Sequence, residues 1–417
     1  MANLADYPDI GDIMHEKYQV IRRIGAGSFG AIYEVQHVET GKIYAVKLER
    51  FNTSPQLQME HKLYTLLDGA IAISRVYDFW VDEKWRAMIM DRLGCSLGYY
   101  FRKCGKILSL KTTLMVAIQM ISRLEYLHER CLIHRDIKPE NFVFGVGKNS
   151  NLLYIIDLGL AKNYRGFKNY QHINYAEDRG LAGTARYVSI NVHLGVEQSR
   201  RDDLESVGYV LISLVKGRLP WQEIEAGSKG DQNDNISHAK MNTPVETLCE
   251  GLPNQFQTYM QRVRDFRFDE RPQYSYLRGL FYQLLSTLNY AYDDKYDWIV
   301  ARANRLDAAL RANGTASDVV IPVSVLGLKG AMRPSPKDTG FHQPLPFFAI
   351  IHQAALFVGK SKKKGTEEEE VPKKSFVEEQ TLFLLNPDHN KIRQGSVSLE
   401  FHPVETNVKK EEPAPAA

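Results

Sequence analysis

The segment Ile133-His134-Arg135-Asp136-Ile137-Lys138-Pro139-Glu140-Asn141 constrains this chain more than any other stretch. Moving a phosphoryl group onto a hydroxyl calls for a carboxylate to take the proton, a cation to screen the charge near the moving group, and an oxygen to hold a metal. Asp136, Lys138 and Asn141 offer these three groups within six residues. A charged loop that merely follows a helix has no reason to set Asp, Lys, Pro and Asn at these spacings.

The surroundings of that segment change character along the chain. Apolar alternation and turn residues predict strands over Tyr18–Gly25, Ala31–Val38 and Ile43–Leu48, then a helix near Ser54–Leu67 and two more strands, Val76–Val81 and Arg86–Met90. This is a small antiparallel sheet holding one helix. From Cys95 onward the period lengthens: Leu114, Ile118, Ile121 and Leu124 with Glu125 fall on one face of a long helix that ends near Arg130. Two short apolar runs, Phe142–Phe144 and Leu152–Ile156, flank the polar turn Gly145–Asn151 and read as a hairpin. The expected fold is α+β and bilobal, with a sheet-rich small lobe over about 18–90 and a mostly helical large lobe over about 91–300. Residues 1–17 read as an N-terminal extension. From about 301, prolines and the blocks Lys360–Lys364 and Glu367–Glu370 read as a partly disordered tail, in which Val319–Leu328 and Pro346–Val358 could dock.

Three further features carry chemistry. Gly25-Ala26-Gly27-Ser28-Phe29-Gly30 is a glycine-rich loop between two predicted strands, where missing side chains let backbone N–H groups approach a triphosphate. A strand follows it instead of a helix, which disfavours a dinucleotide fold. Ala45-Val46-Lys47 lies on the third strand, and Glu60, on the one helix of the small lobe, is the natural counter-ion for a lysine that holds phosphates. Sixteen residues past Asn141, Asp157-Leu158-Gly159 closes an apolar strand and places a carboxylate where magnesium bridging the phosphates would need it.

In this order on these elements, the features resemble the protein kinases, and within them the casein kinase 1 family. The run from Gly183-Thr184-Ala185-Arg186-Tyr187 through Ser189-Ile190-Asn191, His193-Leu194-Gly195 and Glu197-Gln198-Ser199-Arg200-Arg201-Asp202-Asp203-Leu204-Glu205-Ser206 is similar to that family nearly residue for residue, with Ser189-Ile190-Asn191 where most kinases have Ala-Pro-Glu. The resemblance covers about Tyr18 to Asn289. It implies a monomeric serine/threonine kinase that uses ATP and Mg2+ on acidic or already phosphorylated protein substrates. Asp136, Lys138, Lys47 and Glu60 would be its catalytic residues and Asn141 and Asp157 its metal ligands. The glycine loop with Ile24, Ala31, Ile32, Ala45, Lys47, Met90, Asp91 and Leu93 would hold the nucleotide. Arg179 and Arg186 match basic positions of the family's anion pocket. The chain departs from the family at Leu158, usually phenylalanine, at Asp91-Arg92 in the hinge, and at Glu223 and Gln232, which would weaken the anion pocket.

Between Asp157 and Gly183 there is no Ser or Thr, so Tyr164, Tyr170 and Tyr175 are the only phosphate acceptors of the central activation segment, and Ser/Thr phosphorylation there is excluded. A tail site, Thr366 beside Glu367–Glu370, suits self-inhibition. A kinase-fold scaffold and a small-molecule kinase are the alternatives. Retention of Lys47, Asp136 and Asp157 counts against the first and the long activation segment against the second. Lys138, two residues past the base, is the Ser/Thr arrangement and not the tyrosine one.

Composition adds exclusions only. Hydrophobic residues make up 44% and charged residues 25% of 417, and no run approaches the roughly 20 apolar residues of a membrane span. A net charge of +3 gives no argument for nucleic acid. Four scattered cysteines, with no leader or lipidation signal, lead to the expectation of a cytoplasmic protein with possible nuclear access.

Overall fold

The computed structural model describes residues 7–27, 30–224 and 228–312. Two lobes are present within this unit, as the sequence reading expected. The small lobe contains β1 (Ile13–Met14), β2 (Tyr18–Gly27), β3 (Gly30–His37), β4 (Ile43–Arg50), α1 (Gln56–Leu66), β5 (Val76–Val81) and β6 (Trp85–Asp91). Its strands form one antiparallel sheet in the order β1-β2-β3-β4-β6-β5. Strand β1 lies in what the sequence suggested was an extension. It pairs Ile13 with Gln19, and two residues are too short for any periodicity to reveal.

Side-chain alternation gives the sheet two different faces. Ala31, Tyr33 and Val35 of β3, Val46 and Leu48 of β4, and Ala87 and Ile89 of β6 pack with Tyr18, Trp80 and Trp85 into an outer cluster. Ala45, Met88 and Met90 point the other way and join a core that continues into the helical lobe. Lys47, in step with Ala45, is therefore on the inner face. Gly30 is required by the pairing of β3 with β4, because a Cβ there would collide with the Leu48 carbonyl.

The large lobe follows with α2 (Leu97–Lys103), α3 (Leu110–Glu129), β7 (Leu132–Ile133), β8 (Phe142–Phe144), β9 (Leu153–Ile155), β10 (Lys162–Asn163), α4 (Ile190–His193), α5 (Arg200–Lys216), α6 (Lys229–Asn242), α7 (Val245–Leu248), α8 (Asn254–Asp265), α9 (Tyr274–Thr287) and α10 (Asp297–Ala312). Ser96 and Ser109 start α2 and α3 by accepting the N–H groups of Tyr99 and Thr112. The Asp202 carboxylate returns to the Ser199 N–H at the start of α5. Helix α3 is buried on every side from Thr112 to Ile121, so the one-faced pattern expected for it holds only over its second half. Strands β8 and β9 form the expected hairpin, with Phe142 opposite Ile155.

The folded part runs past residue 301, where the sequence placed the start of the tail, because helix α10 continues to Ala312. Tyr296 is fully buried, Trp298 stacks on Tyr100 at 4.3 Å, and Asp297 accepts the backbone N–H and the hydroxyl of Ser109, both at 2.6 Å. The apolar pieces at 319–328 and 346–358, the charge blocks and Thr366 lie outside the described residues.

In the helical core, Phe281 of α9 is fully buried and meets Phe256 and Tyr259 of α8. Phe281→Ala should cost about 3–5 kcal/mol of stability. Urea unfolding should show this as a lower midpoint with an unchanged slope.

Candidate active site

The inner face of the sheet, α1 and the hairpin β8–β9 bring three charged groups together. Lys47 donates to Glu60 at 2.7 Å and to Asp157 at 2.9 Å. Glu60 comes from α1, a helix whose first turn is tied to β4 by the Glu49 carboxylate, which accepts the Leu57 N–H at 3.0 Å. The other Glu60 oxygen accepts the Leu158 N–H at 3.2 Å, and Tyr64, one turn on, accepts the Asp157 N–H through its hydroxyl at 3.1 Å. One helix face thus holds the Asp157-Leu158 backbone while Lys47 holds its carboxylate. Leu158 is buried in the core that joins the lobes, filling the apolar slot without a ring.

Burial disfavours the charge on Lys47, but Glu60 and Asp157 outweigh it and leave its proton affinity above that of a free lysine. Asp157 is also opposed by burial, yet Lys47 brings its pKa below the usual carboxylate value. Burial raises Glu60 against the pull of Lys47. With two N–H donors on its two oxygens Glu60 is held ionised, and the lysine carries the proton.

Asp136 is the second centre. Its Oδ1 accepts the Thr184 hydroxyl at 2.7 Å. Its Oδ2 accepts from Lys138 and, at 3.2 Å, from the Asn141 amide, which also donates to the Asp136 carbonyl at 2.9 Å. The loop that carries Asp136 leaves β7, and β7 pairs with β10, Ile133 facing Lys162. His134 Nδ1 accepts the Asp136 N–H, so its proton sits on Nε2 and goes to the Ile156 carbonyl at 3.0 Å. Gly183 lies at φ +112°, where a Cβ would strike the Arg135 carbonyl. Only glycine lets the segment pass this close to the loop.

Beneath the loop sits Asp203, buried on α5. One oxygen accepts the Arg135 N–H at 2.9 Å, and the other accepts the His134 N–H at 2.7 Å and His128 Nε2 at 2.9 Å. Burial keeps His128 neutral, and its Nδ1 faces the Tyr274 hydroxyl at 2.6 Å. In the sequence Asp203 and Thr184 stand only within the family-like run. Neither position carries a local signal of its contact with the loop. Tyr64 had one, its i+4 spacing from Glu60.

The remaining nominated residues are placed as follows. Gly25, Ala26, Gly27 and Gly30 form the end of the β2–β3 hairpin, Gly27 pairing with Gly30, while Ser28 and Phe29 lie outside the described residues. Ala45 pairs with Met90 and Lys47 with Ile32 across β6 and β3. Ala31 is an exception to a pocket role, because it belongs to the outer cluster. Ile24 is partly exposed. Asp91 accepts the Arg75 N–H and the Tyr77 hydroxyl, and Arg92 donates to Glu34 at 2.8 Å. Both hinge side chains are engaged with strand groups, and Leu93 follows them.

Arg179 pairs with Glu197 at 3.1 Å, and Glu197 also holds Lys162 at 2.8 Å. The Arg186 guanidinium lies 5.8 Å from the centre of the Tyr187 ring. Glu223 is paired with Arg218, and Gln232 lies on α6. Of the three tyrosines of the activation segment, Tyr164 is buried with its hydroxyl on the His128 carbonyl, which removes it as an acceptor. Tyr170 and Tyr175 are exposed.

A family model of the protein kinase domain matches residues 18–295. That is well over half of the chain, and the chain belongs to the protein kinase family. It is a phosphotransferase of a family that uses ATP and a divalent cation. The donor set fits such a cation. Among the described residues no three His, Cys, Asp or Glu side chains form a cage, whereas Asp157 and Asn141 would offer two oxygens to a hard cation that takes the rest of its shell from phosphates and water. Such a cation would supply neutralisation of phosphate charge, with Lys47 placed to meet the phosphates and Asp136 to take the proton of an acceptor hydroxyl. No described helix is long and apolar enough to cross a membrane.

Burial raises the Asp203 carboxyl, but the hydrogen bond from His128 and the other groups around it leave its pKa below the usual value. Its stabilising contribution is therefore complete above the unfolded carboxylate pKa and lost as pH falls through the folded one. Asp203→Asn should cost about 2 kcal/mol near neutral pH, with the gap to the parent protein closing below about pH 4. Thermal unfolding followed from pH 7 to pH 3 checks both statements.

Proposed function

We propose that the chain is a serine/threonine protein kinase of casein kinase 1 type, transferring the ATP γ-phosphoryl group with Mg2+ to hydroxyls of acidic protein segments. The observation that carries the reading is the arrangement at Asp136. Lys138 donates to one of its oxygens and the Thr184 hydroxyl to the other, so base, cation and substrate-side loop are already assembled. The resemblance over Gly183–Ser206 supports the finer assignment. The absence of Ser and Thr between Asp157 and Gly183, together with Glu197 gripping Lys162 and Arg179, supports activity without Ser/Thr phosphorylation of that segment.

Acidic substrates suit the exposed Arg186. Phosphorylated ones suit the site less well, since Arg179 is paired with Glu197 and Glu223 adds a carboxylate, paired with Arg218, in place of a cation. The same reading takes the protein as a monomer without nucleic-acid or membrane partners, acting in the cytoplasm with nuclear access. Its support is composition and four free thiols.

The intact protein should transfer label from ATP with Mg2+ to casein, with the label on serine or threonine, and Asp136→Asn should abolish the transfer. Label on tyrosine would reject the specificity. No transfer would leave a kinase-fold scaffold as the better reading. For a peptide pair differing by one priming phosphate, kcat/KM should differ by less than about tenfold, which is 1.4 kcal/mol. A strong preference for the primed peptide would refute a weakened anion pocket.

A further inference from the structure

Lys240 on α6 is fully buried, at 0% exposure, and none of the roles above uses it. Burial pulls its pKa down to about 7 against the charge of Glu205, and no described carboxylate is in ion-pair contact with it. Two carbonyls accept from it, that of Ala185 at 2.8 Å and that of Val188 at 2.5 Å. His193 Nε2 lies 3.1 Å from Nζ and 3.2 Å from the same Ala185 carbonyl, and burial, with Lys240 beside it, draws the His193 pKa down to about 4. The ammonium also lies 5.0 Å from the Tyr209 ring centre and 5.3 Å from that of Trp221, faces that favour a cation.

The two carbonyls bracket Arg186 and Tyr187. The carbonyl between them, on Arg186, accepts Trp221 Nε1 at 2.8 Å. That of Thr184 takes the N–H groups of Tyr187 and Val188. The turn 184–188 therefore hangs by its carbonyls from donors beneath it, and Arg186 is exposed. Its first residue is Thr184, whose hydroxyl rests on Asp136, so the turn stands next to the carboxylate that an acceptor hydroxyl would approach.

We infer that Lys240, with Trp221, is a positioning residue that seats the turn Thr184–Val188 as the rest for the polypeptide substrate, without touching substrate or nucleotide. The inference rests on the proposed protein-kinase activity. A buried amine that bonds two carbonyls of one turn holds it more firmly than a single bond would, and small displacements of a substrate rest are costly in rate.

Lys240→Met keeps length and apolar volume but removes both carbonyl bonds, whereas Trp221→Phe keeps a ring there and removes the bond to Arg186. The test compares steady-state constants for casein and for ATP in the parent protein and both variants. Lys240→Met should lower kcat/KM for casein by roughly 10- to 100-fold, mainly through KM, with the ATP KM and the slow ATP hydrolysis measured without casein unchanged. Trp221→Phe should move the same constants in the same direction by less. Equal changes in the casein and ATP constants, or folded variants with unchanged casein KM, would overturn the inference. If Lys240→Met does not fold, Trp221→Phe alone decides by the same criterion. A parent protein inactive on casein would instead refute the proposed function on which the inference stands.

Discussion

The carboxylate of Asp203, buried where α5 begins, is the constraint on which the catalytic geometry depends. Two backbone N–H groups of successive residues, His134 and Arg135, end on it. That fixes the loop one residue before Asp136. Arg135 is held at φ +67°, a conformation that L residues adopt only when surrounding bonds compensate. With the loop held from below, the Arg135 side chain is free to bond the Leu160 carbonyl at 2.6 Å, and Gly183 can pass against the Arg135 carbonyl. A single buried carboxylate therefore ties together the helical core, the loop bearing the base and the segment that faces the substrate.

The ionic junction of Lys47, Glu60 and Asp157 plays the corresponding part between the lobes. It is built from strand β4, helix α1 and the turn after β9, elements that share no local sequence. Opposite charges at 2.7 and 2.9 Å in a partly dry cleft hold the lysine as a cation and Asp157 as an anion. This is the ionisation that phosphate and metal binding need. The hydroxyl of Tyr64 and the second oxygen of Glu60 take the N–H groups of Asp157 and Leu158, so α1 positions Asp157 through its backbone as well as through charge. The hinge departures, Asp91 and Arg92, are spent on neighbouring strands.

Support for the substrate side comes from below, by cations as well as carboxylates. Glu197 gathers Lys162 and Arg179, and Lys240 gathers the carbonyls of the turn 184–188. Both arrangements use a buried polar side chain to hold backbone or side chains that a short segment could not order by itself. They also change the meaning of residues nominated from sequence. Arg179 is a partner of Glu197 before it is anything to a substrate, and Tyr164 is a core residue.

The sequence by itself determined the order and type of the elements and the identity of the reactive groups. Alternation along β2–β6 and the hairpin β8–β9 is a local consequence of which residues repel water. The spacing Asp136, Lys138, Asn141 is a local consequence of one loop carrying one chemistry. Tertiary structure decided what is paired with what. Lys47 and Asp157 are 110 residues apart, as Lys240 and Ala185 are 55 apart, and no period or spacing records such contacts. Burial then settled which charges are held and which hydroxyls are lost to the core. Solvation and partner geometry exist only once the chain has closed on itself, which is why the roles of Asp203, Tyr164, Glu197 and Lys240 could be read from the fold and not from the order of the residues.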